Sequence, residues 1–361
     1  MPDPDHRHHL HPVCSIVPPY IIEAIATGRT RSAMRAAQLT LLHDEQLRRT
    51  RATNAPDREK PRKDVAAPRT PHLSRTVADV RHTTKLPGTQ VRTEGGRKTG
   101  DAAADEAYDG TGATFNFYWN IFARDSIDDA GLPLLSSVHY GSNYDNAFWD
   151  GSRMIFGDGD GAVFNRFTVS VDVIGHELTH GVTERLAALE YQGQSGALNE
   201  SMSDVFGSMV KQYSKRTKQT ADKADWLIGA GLLAPGINGV ALRSMKAPGT
   251  AYDDPQLGGK DPQPATMSGY VTTTADDGGV HLNSGIPNRA FYLTAVGFGG
   301  YAWDTAGKIW YAALSDPKLT KTATFVTFAN RTLTNAQALF GAGAKAIVKS
   351  AWTTVGVKTT G

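Results

Sequence analysis

The chain contains the stretch Val171-Asp172-Val173-Ile174-Gly175-His176-Glu177-Leu178-Thr179-His180-Gly181. Its pattern predicts a helix, because Ile174, Leu178 and Val182 recur every four residues and form one apolar stripe. His176 and His180 have the same spacing, so their imidazoles lie one turn apart on one face. Two imidazoles in that relation can bind one tetrahedral zinc ion. The alternative is an ordinary helix with two hydrogen-bonded histidines.

A catalytic zinc site with two histidines needs a third protein ligand and one open position. Glu200 lies 20 residues after His180, which is enough chain to return on a neighbouring antiparallel helix. Asp204 follows one turn later and can accept the free N–H of a ligating histidine. Glu177 can reach a water on the metal without being a ligand. The sequence therefore predicts one zinc ion bound by both histidines and Glu200.

Length and composition are those of a globular chain with two ordinary domains. The chain has 361 residues, of which 40% are hydrophobic. No apolar run approaches the roughly 18 residues of a membrane span, so we expect no membrane insertion. The N-terminus lacks the apolar segment of a signal peptide. Cys14 is the single cysteine, which excludes an intrachain disulfide.

Residues 1–70 differ in composition from the rest and carry 12 basic and 8 acidic side chains. A short helix is predicted over 21–26 and a longer one over 31–51. Residues 54–71 are rich in Pro, Arg, Lys and Ala, which is typical of an exposed linker. Nucleic-acid binding is disfavoured, because there is no regular basic face with interleaved aromatic residues. We expect a helical N-terminal segment followed by a protease-sensitive hinge.

The rest of the chain predicts an α+β architecture. Short strands are expected over 115–119, 134–140 and 147–149, with turns at the intervening glycines. The glycine- and aspartate-rich run 157–161 predicts a tight turn rather than a calcium loop. His139 lies in the strand predicted over 134–140 and is interpreted as an ordinary histidine without a role in the site. Helices are expected over five further stretches: 195–213, 284–298, 303–315, 324–340 and 342–355. The zinc helix then lies between a β-rich half and a helical half.

Five blocks in order resemble the thermolysin-like family of zinc endopeptidases. Two are the zinc helix 175–184 and the segment 195–204 around Glu200. The others are Asn146-Ala147-Phe148-Trp149, Leu242-Arg243-Ser244-Met245 and Asp276-Asp277-Gly278-Gly279-Val280-His281-Leu282-Asn283-Ser284-Gly285. The match begins near residue 75. The resemblance implies a two-domain metalloprotease, with a β-rich catalytic domain over 71–187 and a helical one over 188–361.

The resemblance also implies a mechanism and a substrate class. Glu177 would act as general base on a water activated by zinc, and His281, with Tyr191 beside it and Asp276 holding its imidazole, would stabilise the oxyanion. Asn146 and Ala147 would hold the backbone of a peptide or protein substrate, and Arg243 its carbonyl. The first primed pocket would be lined by apolar residues: Phe164, Phe167, Val173, Ile228 and Leu242. We therefore predict cleavage before bulky hydrophobic residues.

The sequence departs from many members of that family where they bind calcium. Asp172 and Asp225 match two positions of a double calcium site, but Lys211 falls where another carboxylate would be. Leu227, Ala230, Ala234 and Val240 likewise replace expected oxygen ligands. Because hard cations need several oxygen ligands, we predict that these calcium sites are absent.

The stretch 14–22 resembles the short propeptide of the protealysin-like branch of that family. It implies that residues 1–70 form an intramolecular inhibitor, removed by self-cleavage between 54 and 75. A retained regulatory domain and a nucleic-acid-binding tail are the alternatives. Within the propeptide, Cys14 could ligate zinc as a thiolate or could simply be a buried apolar residue. We expect a bacterial monomer made in the cytoplasm without a signal peptide and released, if at all, by a non-standard route.

Two other functions fit parts of the pattern. A non-catalytic, zinc-stabilised binding module would leave Glu177, Tyr191, His281 and Arg243 without a role. An aminopeptidase using the same helix motif would need an acidic motif for the substrate amine, and none is evident in the sequence.

Overall fold

The computed structural model describes residues 15–28, 30–51 and 70–360. The helices are α1 (Pro19–Ala26), α2 (Arg31–Arg51), α3 (Ala102–Phe122), α4 (Val171–Leu186), α5 (Gly193–Ser214), α6 (Asp276–Asn283), α7 (Gly285–Phe298), α8 (Lys308–Leu314) and α9 (Phe325–Thr354). The strands are β1 (Arg75–Asp79), β2 (Thr89–Thr93), β3 (Leu134–Val138), β4 (Ala147–Trp149), β5 (Met154–Phe156), β6 (Leu227–Ile228), β7 (Arg243–Ser244), β8 (Asp253–Asp254) and β9 (Gly259–Lys260).

The first half of the catalytic region is built on a mixed five-stranded sheet with the order β2-β1-β3-β5-β4. The pairs β1–β3 and β3–β5 are parallel, whereas β2 and β4 run antiparallel to their neighbours. The carboxyl ends of β1, β3 and β5 therefore meet at one edge of the sheet. The predicted strands at 134–140 and 147–149 are confirmed as β3 and β4.

The predicted strand at 115–119 is wrong, because these residues lie inside α3. The alternation of Phe115, Phe117 and Trp119 mimics a strand, but Asp101 caps a helix by accepting a hydrogen bond from the Ala104 amide at 2.8 Å. Gly110 lies inside α3 and is not a turn residue. It instead allows close packing on α4, since a β-carbon there would come within 2.2 Å of Ile174 Cδ1.

The second half is mainly helical, as predicted. Helices α5, α7 and α9 coincide with predicted helices, and so does 303–315, which contains α8. The separation predicted between 340 and 342 falls at Gly341, whose φ of 83° breaks the regular path of α9. In the N-terminal segment, α1 and α2 confirm both predicted helices.

One continuous apolar core joins the two halves and the N-terminal segment. It contains residues of α4 and α5 together with Ile16, Val17 and Ile21, which are fully buried. The N-terminal segment is therefore packed against the rest of the described chain over 15–26. None of the helices in the described ranges has the length and apolar character of a membrane-crossing segment.

Candidate metal centre and active site

The metal centre depends on the close approach of α4 and α5. Gly175 of α4 faces Gly207 of α5, and a β-carbon on Gly175 would lie 3.1 Å from the Cα of Gly207. A β-carbon on Gly207 would lie 2.5 Å from the Asp172 carbonyl oxygen. Any larger side chain at either position would push the helices apart. The two glycines therefore bring Glu200 within reach of the histidines on α4.

His176, His180 and Glu200 form a buried three-ligand group, as the sequence predicts. Their side chains are at most 1% exposed. His176 Nε2 lies 3.0 Å from His180 Nε2, and each lies 3.5 Å from an oxygen of Glu200. Glu200 Oε2 has no hydrogen-bond partner among the described residues. These spacings are close to those between ligands of one tetrahedral ion.

The surrounding residues fix which nitrogen of each histidine faces the centre. His176 Nδ1 lies 2.8 Å from Asp204 Oδ1, and His180 Nδ1 lies 2.9 Å from Asn199 Oδ1. With the Nδ1 protons directed to these oxygens, both Nε2 atoms present lone pairs to each other. Such lone pairs repel one another unless a cation lies between them. The donor set therefore fits zinc.

Asp204 has a second partner that the sequence did not reveal. Its carboxylate accepts two hydrogen bonds from Arg243, each 2.9 Å long, and both side chains are buried. Burial opposes the ionised form, but Arg243 and His176 hold the pKa of Asp204 well below its usual range. The Asp204 carboxylate thus positions both the metal ligand His176 and Arg243.

His281 faces the metal ligands from α6, with Tyr191 beside it. The left-handed backbone of residues 276–279 folds Asp276 back, so that its carboxylate lies 2.6 Å from His281 Nδ1 and accepts the His281 backbone N–H at 2.9 Å. The Tyr191 hydroxyl lies 3.2 Å from His281 Nε2 and donates to Glu200. Although burial lowers it, the carboxylates of Glu200 and Asp276 raise the pKa of His281 to about 9.

Glu177 lies between the metal ligands and the edge strand β4. It is fully buried, and its Oε2 accepts a hydrogen bond of 3.1 Å from the backbone N–H of Trp149. Asn146 and Ala147, at the start of the same strand, are also buried. The structure thus brings together the sequence-predicted base and the backbone-binding strand.

The N-terminal segment lies along the edge of this strand. Ser15 pairs with Phe148 in an antiparallel bridge, and the Ile16 N–H donates to the Ala147 carbonyl at 3.2 Å. Val17 N–H donates to Asn146 Oδ1 at 3.1 Å.

Two further contacts fix the carbonyl groups of this segment. Arg243 Nη1 donates to the Ile16 carbonyl at 2.9 Å, and His281 Nε2 lies 3.2 Å from the Ser15 carbonyl oxygen. Both residues that the resemblance assigns to substrate carbonyls thus contact carbonyls of the chain's own N-terminal segment. Cys14, the proposed thiolate ligand, lies outside the described residues.

Helix α2 provides a second anchor, which the sequence analysis missed. The Asp44 carboxylate accepts from Asn146 Nδ2 at 3.1 Å and from the Tyr144 hydroxyl. Thr40 Oγ1 accepts the Asp145 N–H at 3.0 Å. Alternating small and polar residues on an amphipathic helix give no signal for such distant partners. The N-terminal segment therefore contacts Asn146 from two sides.

The residues predicted to line the first primed pocket share one environment. All are at most 1% exposed and belong to the same apolar core as Ile16: Phe164, Phe167, Val173, Ile228 and Leu242. Ile228 pairs with Arg243 across β6 and β7, and Leu242 directly precedes Arg243, so two of the five residues lie next to the arginine that contacts Ile16.

Lys211 of α5 lies where many members of the thermolysin-like family would have a calcium-binding carboxylate. Its Nζ lies 2.8 Å from Asp172 Oδ2 and 2.8 Å from Asp225 Oδ1, and it donates to the Leu227 carbonyl. Burial alone would lower the pKa of Lys211, but the two carboxylates raise it above its ordinary value. The single ammonium group is thus an ion-pair partner of both carboxylates.

A buried His₂Glu centre, a neighbouring glutamate and an imidazole facing them define a zinc peptidase class of site. The chain matches the family model for the thermolysin metallopeptidase catalytic domain over residues 58–184 and that for the thermolysin metallopeptidase alpha-helical domain over residues 187–357. It belongs to the thermolysin family of metallopeptidases and is a zinc metalloendopeptidase with a two-domain thermolysin-like fold.

Several similar proteins are named as proteases, and one solved structure is that of a protease precursor. The chain is 52% identical over 347 residues to an extracellular metalloprotease of Pectobacterium carotovorum subsp. carotovorum, covering 96% of this chain and 97% of that protein. It is 48% identical to protease PrtS of Photorhabdus sp. (strain Az29), covering 95% and 92%. The precursor of protealysin, a metalloproteinase from Serratia proteamaculans, superposes with a TM-score of 0.86 at 52% identity, covering 96% of this chain and 100% of that one.

Proposed function

We propose that this endopeptidase is made as a latent precursor whose residues 15–17 occupy the substrate site. The four backbone contacts of that segment carry the proposal. In this register the Ser15 carbonyl is in the position of the carbonyl to be cleaved, and Ile16 is in the first primed position. The domain division would be 1–70 for propeptide and linker, 71–187 for the first catalytic domain and 188–361 for the second. Because relatives are named extracellular, we propose that the enzyme acts outside the cell.

The residues around this segment would act on a true substrate in the same way. Zinc, bound by His176, His180 and Glu200, would lower the pKa of a water and polarise the substrate carbonyl. Glu177 would accept the proton of the attacking water and pass it to the leaving amine. His281 and Tyr191 would donate hydrogen bonds to the oxyanion.

Binding would use the contacts now made by the propeptide. The Ala147 carbonyl and Asn146 would hold the substrate backbone as an added strand, and Arg243 would hold the carbonyl of the first primed residue. Asp204 would keep Arg243 and His176 in position together. The strand geometry requires only an extended peptide, so a free amino terminus is not needed.

The apolar pocket predicts a substrate preference. N-acetylated peptides with Leu or Phe after the cleaved bond should be hydrolysed at least about tenfold faster than the same peptides with Ala there, because each buried methylene is worth roughly 10- to 200-fold in a hydrophobic pocket. Initial rates measured by chromatography, with product masses, check both the rate and the bond. An aminopeptidase would leave every N-acetylated peptide uncut.

Ile16 should be needed for latency. Ile16 is fully buried, and Ile16→Asp would replace about 1.5 to 3 kcal/mol of apolar burial with a charged group. We expect the propeptide to be held at least about 10- to 100-fold more weakly. The freshly purified variant should then hydrolyse an added peptide before any change in its mass. Leu42→Asp is the control and should stay latent, because Leu42 is half-exposed on α2. Equal latency of the two variants would contradict the proposal that Ile16 binds in the substrate site.

Cys14 gives a narrower prediction within the same proposal. Cys14 directly precedes Ser15 in the sequence, the Ser15 carbonyl lies beside His281, and a cysteine thiolate is a good zinc ligand. If it fills the open zinc position, a Cys14→Ser precursor should show raised activity on an added peptide relative to the parent precursor. A Cys14→Ser precursor as latent as the parent would contradict the thiolate hypothesis. It would not affect the proposal that Ile16 binds in the substrate site.

A further inference from the structure

A second group of metal-binding side chains lies at the edge of the sheet, outside the active site. It consists of His82, His139 and Asp158, whose ligand atoms all lie within 4.8 Å of one another. His139 Nδ1 lies 2.9 Å from Asp158 Oδ2, and His82 Nδ1 lies 3.4 Å from the same oxygen. Spacings of this size are those between ligands of one small ion. From the sequence alone His139 is interpreted as an ordinary histidine, since His82 and Asp158 lie too far along the chain to form a local motif with it.

The sheet topology brings these residues together. His82 follows β1, His139 follows β3 directly, and Asp158 follows β5. Because β1, β3 and β5 are adjacent and parallel, their carboxyl ends deliver one side chain each to the same place. The His82 N–H also donates to the His139 carbonyl at 2.9 Å, which ties the two turns together.

The backbone of both histidines is unusual. His82 has a φ of 56° and His139 a φ of 57°, in the left-handed region that residues with side chains seldom adopt. Strained conformations of this kind persist where the surrounding structure holds them, and they cluster at binding and catalytic sites. Here they turn both imidazoles towards Asp158.

Asp101 supplies the outer partner that metal-binding histidines usually have. Its Oδ2 lies 3.1 Å from His139 Nε2, on the far side of the ring from Asp158. A carboxylate in this position fixes the ring and makes the other nitrogen a better ligand. Asp101 is itself held in place as the capping residue of α3.

We infer that His82, His139 and Asp158 form a second site for a divalent transition-metal ion of the zinc, copper or nickel class. Two imidazole nitrogens and one carboxylate oxygen suit these ions better than calcium or magnesium. The His82 side chain is 62% exposed, so solvent can reach the site and water can complete the coordination. The bound ion would pin together the turns that follow three strands of the sheet.

Zinc uptake by the full chain tests the inference. All variants carry Glu177→Gln, so that the chain stays intact, and alanine at His6, His8, His9 and His11, so that the N-terminal histidines do not bind metal. Each variant is dialysed against buffered Zn²⁺ at pH 8, and the number of zinc ions bound per chain is measured by elemental mass spectrometry. The Asp158 hydrogen bond and charge raise the pKa of His139 to about 9, so the metal still competes with a proton at pH 8 and would compete more strongly with it at lower pH.

We expect the His82→Ala chain to hold one zinc fewer than this parent, and the Asp101→Asn chain to bind the second zinc about 10- to 100-fold more weakly. His72→Ala is the matched control, since His72 is also exposed and paired with a carboxylate, Asp125, but belongs to no three-ligand group among the described residues. It should hold as much zinc as the parent. Equal zinc content in the parent and in His82→Ala would overturn the inference.

Discussion

Replacing Glu177 by glutamine is expected to remove nearly all peptidase activity while leaving the fold and the zinc site intact. Glutamine has the same shape and can still accept the hydrogen bond from the Trp149 N–H. It cannot take a proton from water at neutral pH, and a positioned general base contributes about 10²- to 10⁴-fold. We therefore expect a loss of about 10³-fold in the rate on an N-acetylated peptide, and a precursor whose mass stays unchanged on incubation.

Glu184→Gln is the control for this prediction, because Glu184 lies on the same helix seven residues later and outside the three-ligand group. It should keep parental activity and maturation. Zinc content should stay at the parental level in both variants. Retention of most of the activity by Glu177→Gln would contradict the mechanism, whereas a parent chain that hydrolyses no peptide even after losing its N-terminal segment would favour a zinc-stabilised binding module.

Replacing Lys211 by methionine is expected to destabilise the protein strongly. The Asp172 side chain is fully buried, and the Lys211 ammonium 2.8 Å away is a charge partner within hydrogen-bonding distance. Removing one partner of a buried ion pair leaves an uncompensated charge and costs about 3 to 5 kcal/mol. The midpoint of urea unfolding should fall accordingly. Lys215→Met, an exposed lysine near the end of the same helix, should change it little.

The same position tests the proposal that calcium is not needed. In Lys211→Glu a third carboxylate joins Asp172 and Asp225, and several carboxylate oxygens are what calcium prefers. Millimolar calcium should therefore raise the melting temperature of Lys211→Glu but not that of the parent. A large fall in the parent's melting temperature with a calcium-selective chelator would refute the proposal that the ammonium replaces the ion.

The parts of the site that could be predicted are those encoded by local spacing. The pair His176 and His180 follows from the period of one helix, and Glu200 from the length of chain needed to return beside it. The resemblance to a family then placed His281 and Arg243, which lie far apart in sequence and have no local signal. The structure brings all five together in one cleft.

The parts that could not be predicted depend on tertiary contacts. The prediction of a strand at 115–119 is wrong because alternating aromatic residues also fit a helix that is buried on several faces. Gly207 looks like any small helix residue until its contact with α4 is known. Asp204 contacts Arg243, which lies 39 positions later in the sequence. Asp44 contacts Asn146, which lies 102 positions later. No single-sequence pattern encodes such pairs.

We propose that residues 15–17 keep this zinc endopeptidase latent by occupying its substrate site. Intact-mass spectrometry of the purified parent chain, with a parallel assay on an N-acetylated peptide, tests it most directly. Peptide hydrolysis should rise in step with the loss of N-terminal mass through cleavage between residues 54 and 75, and a zinc chelator should stop both. Full activity of the uncleaved chain, or an inactive chain after the N-terminal segment is lost, would contradict the account.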